Sequence, residues 1–561
     1  MDRKHFSLVT EPWIKVIDEN NREQEISLET LFRNAAQYRQ LAGEMKSQDL
    51  AILRFLLAIL TTVYSRYSAE GQVYKWQNID EKSFKFQGKR PERDLLATWE
   101  NLYNQKKFTS ELFEYLQSYA NRFDLLDAET PFYQVTREEY DSLVPKTKSV
   151  GNGKGTVAVK QINRTISESN NKPDIFSPNA PLHKDDVSFS ELTRWLITYQ
   201  NFTAVTDKTK VKSKEKFSVS KGWLYDLDPV FAVGNNLFET LMLNLVLVPQ
   251  SVRLGKNVFT QRPAWELPAL DYIQLRLDNN FPQNIAQLYT TWSRAIHIEW
   301  NGNRPTIFSA GLPKLDNEDA FLEPMTTWKV KDKEPIKPTL RWLNSLGRAM
   351  WRNFGQYIST QNSNGVQPGI VAWLNNLQSK NMIQPDFSVH LATVGLINDG
   401  NATSQSPAAE FADEMRVNAD VLFDKDLTDA GWPTRIEETV VRTQKLGLYL
   451  SYFAKNVANL RGLSPSVQTD FANQVTAEYY SQLNVPFYEW LASLSSQDER
   501  SMRINEWNEK AAYIVMETGQ KLLNTATPRE IRGQIKDEKL ENIFIDYRIF
   551  KASVMKTIKN G

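Results

Sequence analysis

The sequence predicts an α+β protein, in which a large mixed N-terminal domain (residues 1–403) precedes a C-terminal antiparallel four-helix bundle (residues 404–561). Three observations support this prediction. The chain has 561 residues, more than one hydrophobic core normally supports. Strand-like and helical spacings are mixed in the first part, whereas helical spacing dominates the last part. Between them, residues 398–407 (NDGNATSQSP) are small, polar and rich in turn formers, which is typical of a domain boundary.

The first 64 residues predict a small β unit followed by a core helix. Residues 6–17 alternate loosely and end at the polar turn 18–21, after which a short strand leads into a helix over 28–35. Ser47 is the predicted N-cap of the next helix, which begins at Gln48. The run LAILRFLLAILTTV that follows is too short to span a bilayer and contains Arg54, so we expect a buried core helix and no membrane contact.

Positive charge is concentrated in two stretches, although the whole chain has 67 basic and 67 acidic residues. Residues 144–172 contain six basic residues against one acidic residue, a local charge of +5, and residues 206–221 contain six against two, a local charge of +4. The remainder therefore carries −9. A balanced total argues mildly against a free nucleic-acid binder, but basic loops on an acidic body are suited to phosphate contact. A solvated loop is the alternative interpretation of each stretch.

The two basic stretches differ in predicted structure. Residues 145–181 are rich in Gly, Ser, Asn and Lys, with one β-like patch at 156–159, and a loop of this length is usually functional or disordered. The second stretch follows a helix over 189–199 and precedes an apolar run over 237–248. Its lysines alternate, so an extended chain would place five of them on one side: Lys208, Lys210, Lys212, Lys214 and Lys216.

The C-terminal part predicts four helices, because apolar residues recur at spacings of three and four. In the last segment these are Leu540, Ile543, Phe544, Tyr547, Phe550 and Val554. Short connections and few strand signals predict an antiparallel bundle. The predicted helices cover residues 443–460, 471–494, 503–523 and 539–557.

No motif predicts catalysis, a metal or a cofactor. The chain has no Cys, which excludes disulfides and thiolate metal sites, and its 4 His are not paired at helical metal-site spacing. The Gly-rich segment 151–156 is not a P-loop, because Lys148 stands where the first glycine of that motif belongs. We therefore expect no catalytic residue, metal or cofactor, with a nuclease of dispersed active site as an alternative. The N-terminus has no apolar signal segment, so we expect a cytoplasmic protein.

Several segments follow one another in a specific order. They are FSLVTEPWIKV at the start, DLLDAETPFYQV (124–135), NNLFETLMLN (235–244), RPAWE (262–266), YTTWSRAIHI (289–298), EPMTTW (323–328) and GRAMWR (347–352). In this order, and followed by a helical bundle, they resemble the CasA family, the large subunit of type I-E CRISPR Cascade complexes. Each segment is weak alone, whereas the collinear set over residues 6–352 is specific.

The resemblance implies a non-catalytic subunit at one end of a ribonucleoprotein that carries a guide RNA. Such subunits probe a short protospacer-adjacent motif in double-stranded DNA, largely from the minor groove, and promote duplex opening. The implied partners are the target duplex, the crRNA-containing Cascade subunits (backbone, small and guide-end-binding) and a helicase-nuclease recruited for antiviral defence. An assembly-only scaffold without DNA contact is the second alternative.

The resemblance also implies which residues contact DNA. A family lysine that enters the minor groove matches Lys314, in the phrase Gly311-Leu-Pro-Lys314. A family wedge amide that separates the first base pairs matches Asn401, with Gln405 as its substitute.

Two further loops of the family have counterparts in this chain. The family's Gly-rich loop matches the end of the second basic stretch, so Gly222 is carried over together with Lys221 and the alternating lysines. The first DNA-proximal loop matches loosely around Asn170, Asn171 and Phe176. Some family members have a cysteine cluster suited to zinc, which this chain lacks, so no metal is implied.

Overall fold

The chain divides into two compact units. Unit 1 comprises Met1–Leu346, Pro368–Asn376 and Leu391–Ala412, and unit 2 comprises Gly347–Gln367, Leu377–His390 and Asp413–Gly561. The predicted boundary at residues 403/404 lies outside the described residues. The computed structural model describes residues 5–74, 91–163, 183, 185–204, 209–218, 221–250, 261–278, 281–329, 336–339, 347–358, 367–397, 409–426, 431–536 and 538–559.

Unit 1 mixes short strands with helices. Its helices are α1 Leu28–Asn34, α2 Lys46–Tyr64, α3 Glu92–Gln105, α4 Ser110–Ser118, α5 Arg137–Leu143, α6 Val159–Ile162, α7 Phe189–Phe202, α8 Leu237–Asn244, α9 Ala269–Leu277, α10 Ile285–Tyr289 and most of α11 Gly369–Ser379. Its strands are β1 Ile14–Asp18, β2 Glu23–Ile26, β3 Tyr38–Leu41, β4 Thr156–Val157, β5 Val230–Ala232, β6 Arg294–Asn301, β7 Arg304–Gly311, β8 Trp328–Lys329 and β9 Lys337–Pro338. Strands β10 Ser388–Ile397 and β11 Ala409–Asn418 contribute residues to both units.

The strands form small sheets rather than one continuous sheet. Their orders are β2-β1-β3, β4-β7-β6, β11-β10-β5 and β8-β9. The most regular pair is the β6–β7 hairpin, which runs in unbroken antiparallel register from Arg294↔Gly311 to Asn301↔Arg304. Gly302 lies in its turn with φ of 63°, a backbone conformation that glycine adopts without strain. The α+β prediction for the N-terminal part is confirmed.

Helix α2 is the central helix of unit 1 and is buried along nearly its whole length. Among the described residues it is the one helix long and apolar enough to cross a membrane, and 94% of that window lies inside the protein. The predicted N-cap, Ser47, is wrong, because the helix begins at Lys46. The Glu410 carboxylate instead accepts the backbone N–H groups of Ser47 (2.7 Å) and Lys46 (3.3 Å). A cap from a segment so distant along the chain leaves no local sequence signal.

Unit 2 is built around four long helices. They are α13 Trp432–Leu460, α14 Pro465–Ala492, α15 Arg500–Asn524 and α17 Ile543–Lys559, accompanied by α12 Ala419–Leu422, α16 Pro528–Arg532 and the strands β12 Gln534–Lys536 and β13 Lys539–Glu541. Helix α13 packs against α14, α15 and α17, and α15 packs against α14 and α17. Contacts Asn456–Asp546 and Tyr449–Thr557 run in opposite directions along α13 and α17. The predicted antiparallel four-helix bundle is confirmed.

The bounds of all four bundle helices differ from the prediction, and the starts of the first and the last have a clear physical reason. Helix α13 begins at Trp432, well before residue 443, with Pro433 in its first turn, a position where the missing N–H of proline costs nothing. The last helix begins at Ile543 rather than at residue 539, because residues 539–541 pair with 534–536 as a β-hairpin. The apolar periodicity of Leu540 suggested a helix, but Leu540 lies in strand β13 and pairs with Ile535.

Candidate nucleic-acid interface

The two basic stretches attach to the same edge of strand β7. In the first stretch, Thr156 and Val157 pair with Phe308 and Ile307, and the Ser309 N–H donates to the Gly155 carbonyl (3.2 Å). In the second, residues 209–211 continue along that edge: the Gly311 N–H donates to the Thr209 carbonyl (2.9 Å), and the Val211 N–H to the Gly311 carbonyl (3.2 Å). A rigid hairpin therefore brings together segments that are far apart in the sequence.

The lysines at 210, 212, 214 and 216 of the second stretch are exposed, but they are not all on one side of an extended chain. Lys210 and Lys212 flank the buried Val211 as alternation requires, and the chain then bends at residues 214–215. The bend returns residue 217 toward Lys210, whose ammonium donates to the Phe217 carbonyl (2.8 Å). Among the described lysines of the predicted one-sided array, Lys210 and Lys212 fit it, whereas Lys214 and Lys216 extend from the bend.

Lys212 also joins this segment to the first stretch. Its backbone N–H donates to the Leu143 carbonyl (2.7 Å) and its ammonium to the Ser142 carbonyl (2.9 Å). Both carbonyls belong to the last turn of α5, where a cation is favoured by the helix dipole. The exposed Lys146 and the half-buried Lys148 follow in the next turn of chain, so basic residues of both stretches lie close to one another.

Lys314 and Lys221 meet in a small cleft of unit 1, here called the Lys314 cleft. Lys314 is exposed, and its backbone N–H donates to the Ser218 carbonyl (3.1 Å). Lys221 is half-buried, with its ammonium 5.1 Å from the centre of the Tyr225 ring. The cleft is lined by Lys221, Gly222, Trp223, Thr291, Ser293, Lys314, Leu315 and Asn317. Two lysines that the sequence placed in unrelated segments are thus brought to one site.

Gly222 has a packing role in this cleft. It is buried, and its N–H donates to the Thr203 carbonyl (2.9 Å) just after helix α7. A Cβ atom at this position would overlap the backbone of Asn201 and Phe202. The residue must therefore be glycine for the chain to pass this closely over the end of α7.

Buried polar side chains hold the backbone of the cleft. The Gln200 side-chain oxygen accepts the N–H groups of Ser293 (2.7 Å) and Arg294 (3.0 Å), and its amide nitrogen donates to the Arg294 carbonyl (3.0 Å). The Arg276 guanidinium, 3% exposed, donates to the carbonyls of Trp292 and Pro313. Residue 313 precedes Lys314, so the lysine extends from a segment whose backbone is fixed.

Other predicted site residues lie outside the described residues. They are Asn170, Asn171, Phe176, Lys208, Asn401 and Gln405. The described part of the chain contains no group of three or more His, Cys, Asp or Glu side chains arranged to hold a metal ion.

A model of the CRISPR-associated protein Cse1 family matches residues 7–518 of the chain. The chain belongs to the Cse1 family. The CRISPR-associated protein CasA/Cse1 of Thermus thermophilus is 22% identical to it over 532 residues, which is 91% of each chain. This result confirms the family predicted from the collinear segments.

Solved structures of Cse1-family proteins share its fold. Thermobifida fusca Cse1 superposes with a TM-score of 0.75 at 22% identity, covering 99% of this chain and 98% of that one. A chain in the structure of a CRISPR RNA-guided surveillance complex superposes with a TM-score of 0.66 at 16% identity, covering 98% of this chain and 99% of that one.

Several segments that carried the family resemblance prove to be structural in this Cse1-family chain. In RPAWE, Glu266 pairs with Arg66 (2.8 Å), and Trp265 donates to the Tyr115 hydroxyl (2.8 Å). In EPMTTW, Glu323 is fully buried against Arg54. These side chains explain why the phrases are recognisable, because each has a defined buried partner.

Sequence reasoning missed five residues that line the Lys314 cleft: Trp223, Thr291, Ser293, Leu315 and Asn317. Thr291 and Ser293 lie within the YTTWSRAIHI segment, which was used only as a mark of resemblance. Trp223 directly follows Gly222, so its proximity to a predicted site residue was the available signal. No local pattern indicated that residues 291–293 approach Lys314.

Proposed function

We propose that this Cse1-family chain is the large subunit of a cytoplasmic, type I-E, guide-RNA-containing surveillance complex, where it recognises the protospacer-adjacent motif in double-stranded DNA. The observation that carries the proposal is the convergence of Lys314 with Lys221 and Gly222 in one cleft beside the exposed lysines of residues 209–218. Membership in the complex is supported by family and by the fold shared with a chain of a CRISPR RNA-guided surveillance complex.

The chemistry of the cleft suits a narrow groove of the duplex. The minor groove presents mainly the acceptors adenine N3 and thymine O2, and the exposed Lys314 ammonium is a donor to such atoms. The hydroxyls of Thr291 and Ser293 are buried and already donate to Gln287 and Gln200. The exposed lysines Lys214 and Lys216 are placed for phosphate contact, which adds affinity without sequence information. Recognition by few donors in a degenerate groove predicts tolerance of several motif sequences.

Two later steps complete the proposal. Motif binding favours local opening of the duplex, so that guide pairing extends into an R-loop. The assembled complex then recruits a separate helicase-nuclease, which cuts the DNA, while this chain contributes no catalytic group. Purified chain with magnesium or manganese is therefore expected to leave a labelled duplex intact, and cleavage would favour the nuclease alternative.

The test is duplex capture by the reconstituted guide-RNA complex, with and without this subunit, across a randomised flanking motif and several salt concentrations. We expect motif-dependent capture only when the subunit is present, and a loss of about tenfold in that capture for Lys314→Ala, because one groove contact is removed. Lys107→Ala, an exposed lysine between α3 and α4, is the matched control and is expected to behave as wild type.

The assembly-only alternative makes the opposite prediction. If capture is identical without the subunit, the DNA-recognition proposal is wrong. Charge reversal at Lys214 and Lys216 distinguishes the two functions further: we expect complex assembly to survive and DNA affinity to fall with a shallower dependence on salt.

A further inference from the structure

The apolar helix α2 carries one fully buried charge at its centre. Arg54 and Glu323 both have 0% exposed side chains and form a two-point ion pair, with Nη1–Oε1 and Nη2–Oε2 distances of 2.8 Å each. The two residues come from distant parts of the chain, and both belong to unit 1.

Stability alone does not explain this pair. The free energy needed to remove two charges from water is about as large as the free energy gained from their attraction. An apolar pair of similar volume therefore stabilises the fold equally well or better. The pair is also incompletely satisfied, since the Arg54 Nε atom is buried without a hydrogen-bond partner in the described part of the chain. Buried groups of this kind, when retained, can specify one geometry rather than add stability.

Glu323 contacts a residue of the Lys314 cleft directly, and Arg54 contacts a residue next to it in the chain. The Glu323 carboxylate accepts the Trp223 indole N–H (2.6 Å), and Trp223 lines the cleft next to Gly222. The Arg54 guanidinium lies 4.1 Å from the centre of the Tyr289 ring, two residues before Thr291, which lines the cleft as well. The buried ion pair therefore contacts one cleft segment at Trp223 and reaches the 291–293 segment through Tyr289.

The position of the Lys314 segment depends on the position of residues 291–293. The Leu312 N–H donates to the Ser293 carbonyl (3.1 Å), and Lys314 follows two residues later. Displacing Tyr289 and residues 291–293 would consequently displace the backbone that presents Lys314. Loss of the hydrogen bond from the Trp223 indole N–H would likewise displace the backbone of Lys221 and Gly222, the two residues before it.

We propose that Arg54 and Glu323 are positioning residues for motif recognition: their ion pair sets the spacing between the Lys221–Trp223 and Thr291–Ser293 sides of the Lys314 cleft. The inference rests on the proposed function of that cleft. A double substitution with apolar residues, Arg54→Met with Glu323→Leu, retains buried volume but removes the acceptor for Trp223 and the cation over Tyr289.

The test measures motif discrimination, the ratio of dissociation constants for a scrambled and a preferred flanking motif, in the reconstituted guide-RNA complex. For the double variant we expect a midpoint of thermal unfolding close to that of wild type, because replacing both charges is neutral or stabilising while the N–H groups of Trp223 and Met325 lose their acceptor. We expect discrimination to fall about five- to tenfold, because misplaced contacts lose most of their selectivity. The salt dependence of DNA binding should stay unchanged, because every lysine remains.

If the double variant does not fold, Trp223→Phe tests the positioning role instead. It removes the indole N–H and with it part of the ring, and we expect about a threefold loss of discrimination, the lower end of the range for one lost hydrogen bond. Trp265→Phe is the matched control, since it removes a buried indole N–H donated to the Tyr115 hydroxyl at 2.8 Å outside the Lys314 cleft. Its discrimination should equal that of wild type.

Two results would overturn the inference in distinguishable ways. If the wild-type complex discriminates motifs and the folded variants do so equally well, the positioning role is wrong while the proposed function stands. If the wild-type complex itself shows no motif discrimination, the proposed function fails and the inference fails with it.

Discussion

The Lys314 cleft of unit 1 and the helical bundle of unit 2 are held by different kinds of contact. In the bundle, Phe487 packs against Trp507 (ring centres 4.8 Å apart) and stacks on Trp351 (4.3 Å). In unit 1, the segments around the cleft are held by buried polar groups, among them Gln200 and the Arg54–Glu323 pair. Aromatic packing tolerates small shifts, whereas buried polar groups require defined partners. Unit 1 should therefore be more sensitive to the loss of single polar partners.

Arg54→Met alone should have the largest effect of the substitutions considered. It leaves Glu323 buried without its cation, which costs about 3–5 kcal/mol of unfolding free energy. Arg461→Met is the comparison in unit 2: Arg461 pairs with Glu530 at 2.7 Å and is 26% exposed, while the buried Glu530 still accepts the Thr527 N–H, so about 1–2 kcal/mol is expected. Urea unfolding gives both values, and hydrogen exchange of α2 locates the loss. Equal costs would contradict the proposed difference between the units.

Gly222→Ala and Gly519→Ala compare close packing in the two units. A Cβ at Gly222 meets the backbone of Asn201, which cannot move independently, whereas a Cβ at Gly519 meets the Phe550 ring. We expect a loss of about 2–3 kcal/mol for Gly222→Ala, at the upper end of overpacking costs. For Gly519→Ala we expect about 0–1 kcal/mol, because the ring can shift and alanine favours the helix. Calorimetric unfolding of both variants tests this order.

Asp49→Asn should stabilise unit 1 at neutral pH. Burial raises the pKa of the Asp49 carboxyl to about 6, while an unfolded Asp has a pKa of about 3.9. The folded state therefore holds the proton more tightly, so its stability falls as pH rises from about 4 to 6, and the full penalty applies above 6. The asparagine retains the acceptor for the Gly43 N–H without the charge.

The expected gain for Asp49→Asn is about 1–3 kcal/mol at pH 7.5, with no gain at pH 3.5. Unfolding free energies at the two pH values measure it. Asp470→Asn, an exposed position on α14, is the control and should show no such dependence. A gain that is the same at both pH values would exclude the titration of Asp49 as its cause.

Trp507→Phe should have a smaller effect than Arg54→Met, Gly222→Ala or Asp49→Asn. It removes the hydrogen bond from the indole N–H to the Thr443 hydroxyl (2.9 Å) but leaves an aromatic ring against Phe487. About 1 kcal/mol of unfolding free energy is expected, measured by urea titration, with no change in motif discrimination. A loss above about 3 kcal/mol would show that the bundle also depends on polar partners, contrary to the comparison with unit 1.

The sequence predicted correctly those features that depend on residues close together in the chain, and missed those that depend on contacts between distant segments. The bundle helices and the burial of α2 were predicted, because apolar spacing is a local property. The cap of α2 was predicted wrongly at Ser47, because Glu410 supplies it from a distant segment. Lys314 and Gly222 came from family resemblance, and their roles in DNA contact stay predictions. Their common position in one cleft was not foreseen, because nothing local links them.

The sequence by itself determined the family, the α+β and bundle classes, and the presence of basic segments in an otherwise acidic chain, since composition, periodicity and motif order are all written along the chain. Only the tertiary structure decided that both basic stretches attach to β7, that Gly222 packs on the end of α7, and that Arg54 meets Glu323 beneath the Lys314 cleft. The physical reason is that each of these contacts pairs polar or backbone groups from distant segments. Burial and hydrogen-bond geometry determine which of these groups pair when the chain folds. Patterns among neighbouring residues in the sequence do not indicate such pairs.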